Sequence, residues 1–205
     1  MSAPTQAGYL ERVTLTGHGV TLRPLELSHA ADLFDAVSQD PALWAFIPRR
    51  QPTSLDEMVE WIQWALASRD EGQRVPFTVI DNATGKAIGS TNYLDMSVPD
   101  RHLEIGWTWY APSHHRTAVN TECKYLLMKR AFETLGCQRV QLRTDLRNNR
   151  SQRAIERLGC TREGVLRDLQ LLYDGHRRSV VFYSLLDHEW PARKAWFEER
   201  LAVPA

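Results

Sequence analysis

LEIGWTWYAPSHHRTAVNTECKYLL, residues 103–127, decides the fold of this chain. It reads as a strand, a loop and a helix in direct succession. Leu103, Ile105, Trp107 and Trp109 fall on one face and Glu104, Gly106, Thr108 and Tyr110 on the other, the period of two that marks a β-strand. Pro112 closes the strand, because proline has no N–H to give to a ladder. Residues 113–119 make a polar loop. Asn120 or Thr121 can cap the helix that follows, and Gly136 can end it. A helix start presents unpaired N–H groups at the positive end of the dipole, which together bind phosphate. The pattern predicts a strand that feeds an anion-binding helix start. An ordinary strand–loop–helix unit of an α/β domain would have the same pattern, with Glu104 a solvated strand residue.

Upstream, Val20, Leu22 and Pro24 alternate with Thr21, Arg23 and Leu25 in a strand or hairpin. Ser28 can cap a helix with Ala30, Leu33, Phe34 and Val37 on one face, which Asp40-Pro41 breaks. LWAFIPRRQP, residues 43–52, is an aromatic loop that either covers the core or borders a binding site. Ser54 and Glu57 form a capping box for a helix with Met58, Ile62 and Ala65 at helical spacing. Strands follow over Val75–Asp81 and Lys86–Val98, with turns at Asn82–Gly85 and Pro99-Asp100, so three antiparallel strands precede the central loop.

Downstream, the central helix has Cys123, Leu126, Leu127, Arg130, Ala131 and Leu135 in an amphipathic pattern with a basic outer face. Arg139–Thr144 is a strand that returns parallel to the Glu104 strand through a right-handed crossover. A short helix over Gln152–Leu158 and a hairpin from Gly164 to Leu186, turning at Asp174-Gly175, complete the core. The domain expectation is a flexible arm over 1–12, one domain over 13–187, and a C-terminal helix and tail over 188–205.

Composition excludes several classes. Lys and Arg total 25 and Asp and Glu total 25, so nothing electrostatic points to nucleic acid. The three cysteines have neither metal-ligand spacing nor a disulfide framework, so no metal is expected and a reducing cytoplasm is. MSAPTQAGYLER lacks the apolar core of a signal peptide, and no stretch has the apolar length of a membrane span.

The order of elements resembles the GCN5-related N-acetyltransferase superfamily over roughly residues 13–187. EIGWTWYAPSHHRTAVNTE, residues 104–122, looks like its acetyl-CoA motif. DLRNNRSQRAIERLGCTREGVLR, residues 145–167, is similar to the ribosomal-protein alanine acetyltransferase branch, with Asn148, Ser151, Glu156, Gly159, Glu163 and Gly164 at that branch's spacing. The closing hairpin with Tyr173 and Tyr183 is the third point of likeness. The resemblance implies an α/β (α+β) fold with a mixed, mostly antiparallel sheet, splayed between the Glu104 strand and the parallel strand after it. It implies acetyl transfer from acetyl-CoA to a primary amine, on a protein N-terminus or a small molecule. A homodimer is compatible with it.

The resemblance also assigns roles. Glu104 stands eleven residues before His115, as the glutamate base of the family's histone-modifying members stands before the residue that opens their loop. Arg116, Thr117, Ala118, Val119, Asn120 and Thr121 would contact the pyrophosphate through N–H groups. A backbone N–H among Trp107, Thr108 and Trp109 would hold the oxyanion. Asn148 would bind the pantetheine arm and Ser151 would face the thiol, although both residues also suit a helix start. Trp44, Phe46 and Asn92 would lie on the acceptor side. The sequence departs from the family pattern in two places. Ala118 and Asn120 stand at loop positions that are usually glycine, or glycine and alanine. Ile155 stands where many members have a tyrosine that protonates the CoA thiolate, so that role passes to Ser151, to water, or to nothing. The alternative implied by these departures is a non-catalytic CoA-binding or interaction protein on the same fold.

Overall fold

The computed structural model describes residues 5–202. One eight-stranded sheet runs through it in the order β1-β2-β3-β4-β5-β6-β8-β7. The strands are β1 (Leu15–Thr16), β2 (Val20–Pro24), β3 (Arg74–Asp81), β4 (Ala87–Ser97), β5 (His102–Tyr110), β6 (Arg139–Asp145), β7 (Thr161–Leu171) and β8 (Arg177–Leu186). Every neighbouring pair is antiparallel except β5 with β6. That one parallel pair follows from the helical crossover between its strands. The mostly antiparallel mixed sheet expected from the sequence is therefore present.

After the single turn α1 (Gln6–Tyr9) come α2 (Ala30–Ser38), α3 (Leu55–Asp70), α4 (Val119–Lys129), α5 (Asn149–Arg157) and α6 (Trp190–Ala202). Two clusters of buried side chains result. Leu33, Val37, Met58 and Ile62 of α2 and α3 pack with Trp44 and Trp109 on one face. Cys123, Leu127 and Met128 of α4 pack with Leu103, Ile105, Val140 and Phe197 on the other. The segment expected as a loose arm is packed from α1 onward. Tyr9 is buried with its hydroxyl 3.2 Å from Cys137 Sγ, and Arg130 donates to Gly8 O and to Glu11. Residues 1–4 and 203–205 lie outside the described part.

Two irregularities shape the middle of the sheet. First, β5 pairs with β6 only at His102↔Arg139, Leu103↔Val140 and Glu104↔Gln141, although β5 runs on to Tyr110 and β6 to Asp145. Beyond Glu104 the two strands part and leave a wedge, the splay expected from the sequence. Second, on the other side of β5, Asn92 opposes Gly106 while Ser90 opposes Trp109. Thr91 alone therefore faces both Trp107 and Thr108. This is a β-bulge, and Trp107 takes φ +50° to make it. A bulky residue there is strained by about 1–3 kcal/mol.

The bulge corrects the alternation read from the sequence, because one extra residue reverses every side chain beyond it. Leu103, Ile105 and Tyr110 join the α4-side cluster and Trp109 joins the α3-side cluster. Thr108 turns toward α4, where it bonds Lys124. Trp107 turns toward α3, its ring centroid 5.3 Å from that of Trp64.

Candidate active site

Glu104 is the last β5 residue paired with β6, so its side chain lies at the mouth of the wedge. It is 1% exposed. Arg143 Nε lies 2.8 Å from its Oε2, and Gln141 Nε2 donates to the same oxygen at 3.4 Å. The missing side chain of Gly106 is required here, because a Cβ would come within 2.5 Å of Glu104 Oε1 and 2.9 Å of Leu94 Cδ1. Burial raises the Glu104 pKa above the usual carboxylate value, and Arg143 and Gln141 only partly oppose this. A carboxylate so poised accepts a proton near neutral pH more readily than an exposed one. Gln141 and Arg143 are inseparable from it, and neither stood out in the sequence.

The loop beyond β5 is pinned at His115, whose Nε2 lies 3.0 Å from Tyr110 O and whose Nδ1 lies 3.3 Å from Arg150 Nη1. Burial, then Arg150, lowers its pKa, which keeps the ring neutral and both contacts available. Arg116 takes φ +65° and turns the chain into α4. The helix begins at least two residues earlier than the sequence suggested. Ala118 occupies the cap position without a side-chain cap bond, while Asn120 and Thr121 lie inside the first turn. Thr117 Oγ1 donates to His114 O and accepts from Val119 N, a substitute cap from one residue further out. Arg116, Thr117 and Ala118 are exposed, and the first helical bond runs from Glu122 N to Ala118 O. Val119 N is taken by Thr117 Oγ1, which leaves the N–H groups of Asn120 and Thr121 without a backbone partner at this helix start, the donors an anion would use.

Asn148 caps α5, its Oδ1 accepting from Ser151 N at 3.0 Å. Its side chain thus does the capping work expected of that residue type, and Ser151 lies half-buried in the first turn. Ile155 is buried on the same helix. Asp145, at the end of β6, holds Arg147 and Arg178.

The basic outer face expected for α4 is corrected by two burials. Arg130 and Lys124 point inward, and Lys124 is 4% exposed. Lys124 Nζ donates to Thr108 Oγ1 at 2.7 Å, and Thr108 Oγ1 lies 2.8 Å from Thr91 Oγ1. Lack of solvent pushes its pKa down to about 8, against the pull of Cys123, Cys160 and Glu104. The signal that could have found it is a lysine on the apolar stripe, one turn before Leu127 and Met128.

On the α3 side, Trp44 is not a free contact. It is buried among Trp61 and Trp109, with ring centroids 5.3 and 5.5 Å away. Phe46 stays half-buried, with Arg147 above its ring. Asn92 is buried opposite Gly106, and its Nδ2 has no hydrogen-bond partner among the described residues. The structure therefore brings Glu104, Asn92 and Trp107 to one face. It puts Thr108 on the other, with the loop 115–121 and α5 at the open end of the wedge.

Residues 20–161 match the acetyltransferase (GNAT) domain family, well over half of the chain. The chain belongs to the GNAT family. A GCN5-related N-acetyltransferase from Brucella melitensis is 30% identical and superposes with a TM-score of 0.88, over 94% of this chain and 86% of that one. The Bacillus subtilis (strain 168) protein YdaF, provisionally named a ribosomal N-acetyltransferase, is 29% identical over 85% of this chain and 95% of its own length. RimL, the ribosomal L7/L12 alpha-N-protein acetyltransferase, shares the fold alone, with a TM-score of 0.74 at 18% identity over 85% of this chain and 94% of that one. The likeness to the ribosomal-protein branch, read from residues 145–167, has its counterpart in YdaF. As a GNAT member the chain has the architecture of an acetyltransferase.

Proposed function

We propose that this GNAT protein moves an acetyl group from acetyl-CoA to a primary amine, by direct attack of the amine on the thioester. The observation that carries the reading is the buried Glu104 carboxylate at the point where β5 and β6 part, one loop away from the start of α4. The residues fit the cofactor. Asn120 and Thr121 offer backbone donors to a pyrophosphate, with no acidic side chain between Ser113 and Thr121 to repel it. The wedge gives a thioester access to β5 N–H groups that β6 no longer pairs.

In this mechanism the acceptor amine enters from the α3 side, and Glu104 takes its proton as the C–N bond forms. A backbone N–H near the Trp107 bulge stabilises the oxyanion. The thiolate leaves when the C–S bond breaks, and it takes a proton from the other side of the sheet. Ser151 in the first turn of α5 and Lys124 behind Thr108 are the two donors offered there. The acceptor is a protein N-terminal amine, in keeping with the name of YdaF, or a small-molecule amine. A cytoplasmic location accords with three free, buried cysteines. One observation favours a second reading, a CoA-binding protein without turnover: Glu104 is already engaged by Arg143.

Thermal unfolding with CoA tests the reading. A ligand at a hundredfold excess over its Kd stabilises the folded state by about 2.7 kcal/mol. For a domain of this size that raises the melting point by about 5–10 °C. Adenosine, which lacks the pyrophosphate, should give far less, and Ala118→Asp should abolish the CoA shift. No shift with millimolar CoA or acetyl-CoA removes the acetyltransferase reading. A shift without acetylation of any amine in a broad panel leaves the CoA-binding alternative.

A further inference from the structure

Arg74 opens β3 on the face that Glu104, Asn92 and Trp107 share, and it is 6% exposed. Its guanidinium carbon lies 4.1 Å from the Trp64 ring centroid and 4.8 Å from that of Trp107. Aromatic faces attract a cation but offer no hydrogen-bond acceptor in the plane of the guanidinium. Its Nε and Nη1 have no hydrogen-bond partner among the described residues. The neighbouring charge that acts on it is another cation. Arg49, from the aromatic loop, lies 4.0 Å from the same Trp64 ring, and it joins burial in pushing the Arg74 pKa down. The other arginines on this side differ, because Arg143 is paired with Glu104, and Arg147 and Arg178 with Asp145. Asn92 adds a second buried donor without a partner, cross-strand from Gly106.

Burying a cation and an amide N–H without acceptors is costly, and proteins rarely do so without a purpose. We propose that Arg74 and Arg49, helped by Asn92, form an anion subsite on the acceptor side, so that the amine acetylated here carries a carboxylate a few bonds from its nitrogen. The planar fork of Arg74 matches a carboxylate, and the ring stack fixes the plane in which the fork is offered. Glu104 and the subsite divide the work. The acceptor's carboxylate goes to the arginines, and its amine is left beside the buried base. A polycationic amine is excluded by the same charges.

This inference rests on the acetyltransferase reading, but its test does not depend on turnover alone. Paired acceptors that differ by one charge would be compared: γ-aminobutyrate against its amide, and the dipeptide amide Ala-Asp against Ala-Asn. Within each pair the carboxylate form should have at least a tenfold higher kcat/KM, the scale of one charge-assisted hydrogen bond. Arg74→Met should erase that preference through KM, with the two members of each pair brought to equal kcat/KM and the CoA-induced melting shift kept. Arg49→Met, at a more exposed position, should weaken it less and serves if Arg74→Met folds poorly. Succinate should raise the melting point of the wild type in saturating CoA, and not that of Arg74→Met. Equal rates within each pair, a preference that survives Arg74→Met, or loss of the CoA shift in that variant would overturn the subsite. CoA binding and succinate stabilisation with no acetylation would overturn the enzyme and leave the anion site standing.

Discussion

Two buried cations flank one β-bulge, and they are treated differently. On the α4 side Lys124 donates to Thr108 Oγ1, which leads on to Thr91. On the α3 side Arg74 lies against Trp107 and Trp64 with two nitrogens unpartnered among the described residues. Thr108 and Trp107 are adjacent and take opposite faces, and the bulge at Trp107 decides which face each takes. The same backbone step therefore supplies an acceptor to one cation and only a ring face to the other. Burial lowers both pKa values, to about 8 for Lys124 and about 10 for Arg74. Lys124 can therefore lose its proton close to neutral pH, whereas Arg74 remains a fixed charge. On the proposed reading the α4 side exchanges a proton and the α3 side holds an anion.

The contrast breaks first at Glu104, the buried acid at the mouth of the wedge, on the same face as Arg74. Glu104→Gln should lower acetylation by about 10²–10⁴-fold, the usual contribution of a general base, and leave the CoA shift intact. In the wild type the rate should climb with pH as Glu104 deprotonates, through a value above the usual carboxylate range. The glutamine variant should lose that limb, and an unchanged pH profile would take Glu104 out of the mechanism.

Lys124→Met sharpens the proton-exchange side. If this ammonium protonates the thiolate, turnover should fall about 10–100-fold, at the lower end of what a positioned acid contributes. The wild-type decline above about pH 8 should disappear with it. Stability should move the other way. The folded-state pKa lies below the ordinary 10.5, so the buried charge disfavours folding below about pH 8, and the penalty fades between pH 8 and 10.5. The variant should therefore melt higher than the wild type at pH 7, by a margin that shrinks toward pH 10. A kcat unchanged at every pH would leave Lys124 a structural cation.

The smallest effect is expected at Ser151. Ser151→Ala should slow turnover several-fold, more than it weakens CoA binding, if the hydroxyl shares in protonating the thiolate. Its N–H would still be capped by Asn148 Oδ1, so melting should change by little. A change confined to melting would reduce Ser151 to its place in the helix start.

Much of this was legible in the chain. The alternation over residues 103–106, Pro112 and the helical spacing after it announced β5, the loop and α4, because backbone period and proline chemistry are local properties. The resemblance of 104–122 and 145–167 carried the family and the splayed sheet. The local signals failed where a partner from elsewhere decided the outcome. Asn120 looks like a cap, yet the helix starts at Val119 because Thr117 and the turn at Arg116 already serve its first N–H. Trp44 looks like an exposed aromatic, yet Trp61 and Trp109 close around it.

By itself the sequence determined the order of elements, the one parallel crossover and the position of Glu104 eleven residues before His115, since each depends on neighbours along the chain. Only the tertiary structure decided which face each β5 side chain takes beyond Gly106. A bulge is a register event between two strands, and nothing in β5 alone records that Thr91 would face two residues. The burial of Lys124 and Arg74 was decided in the same way. A charge is drawn into the interior by what α3, β4 and β5 place around it, and those elements are distant in sequence.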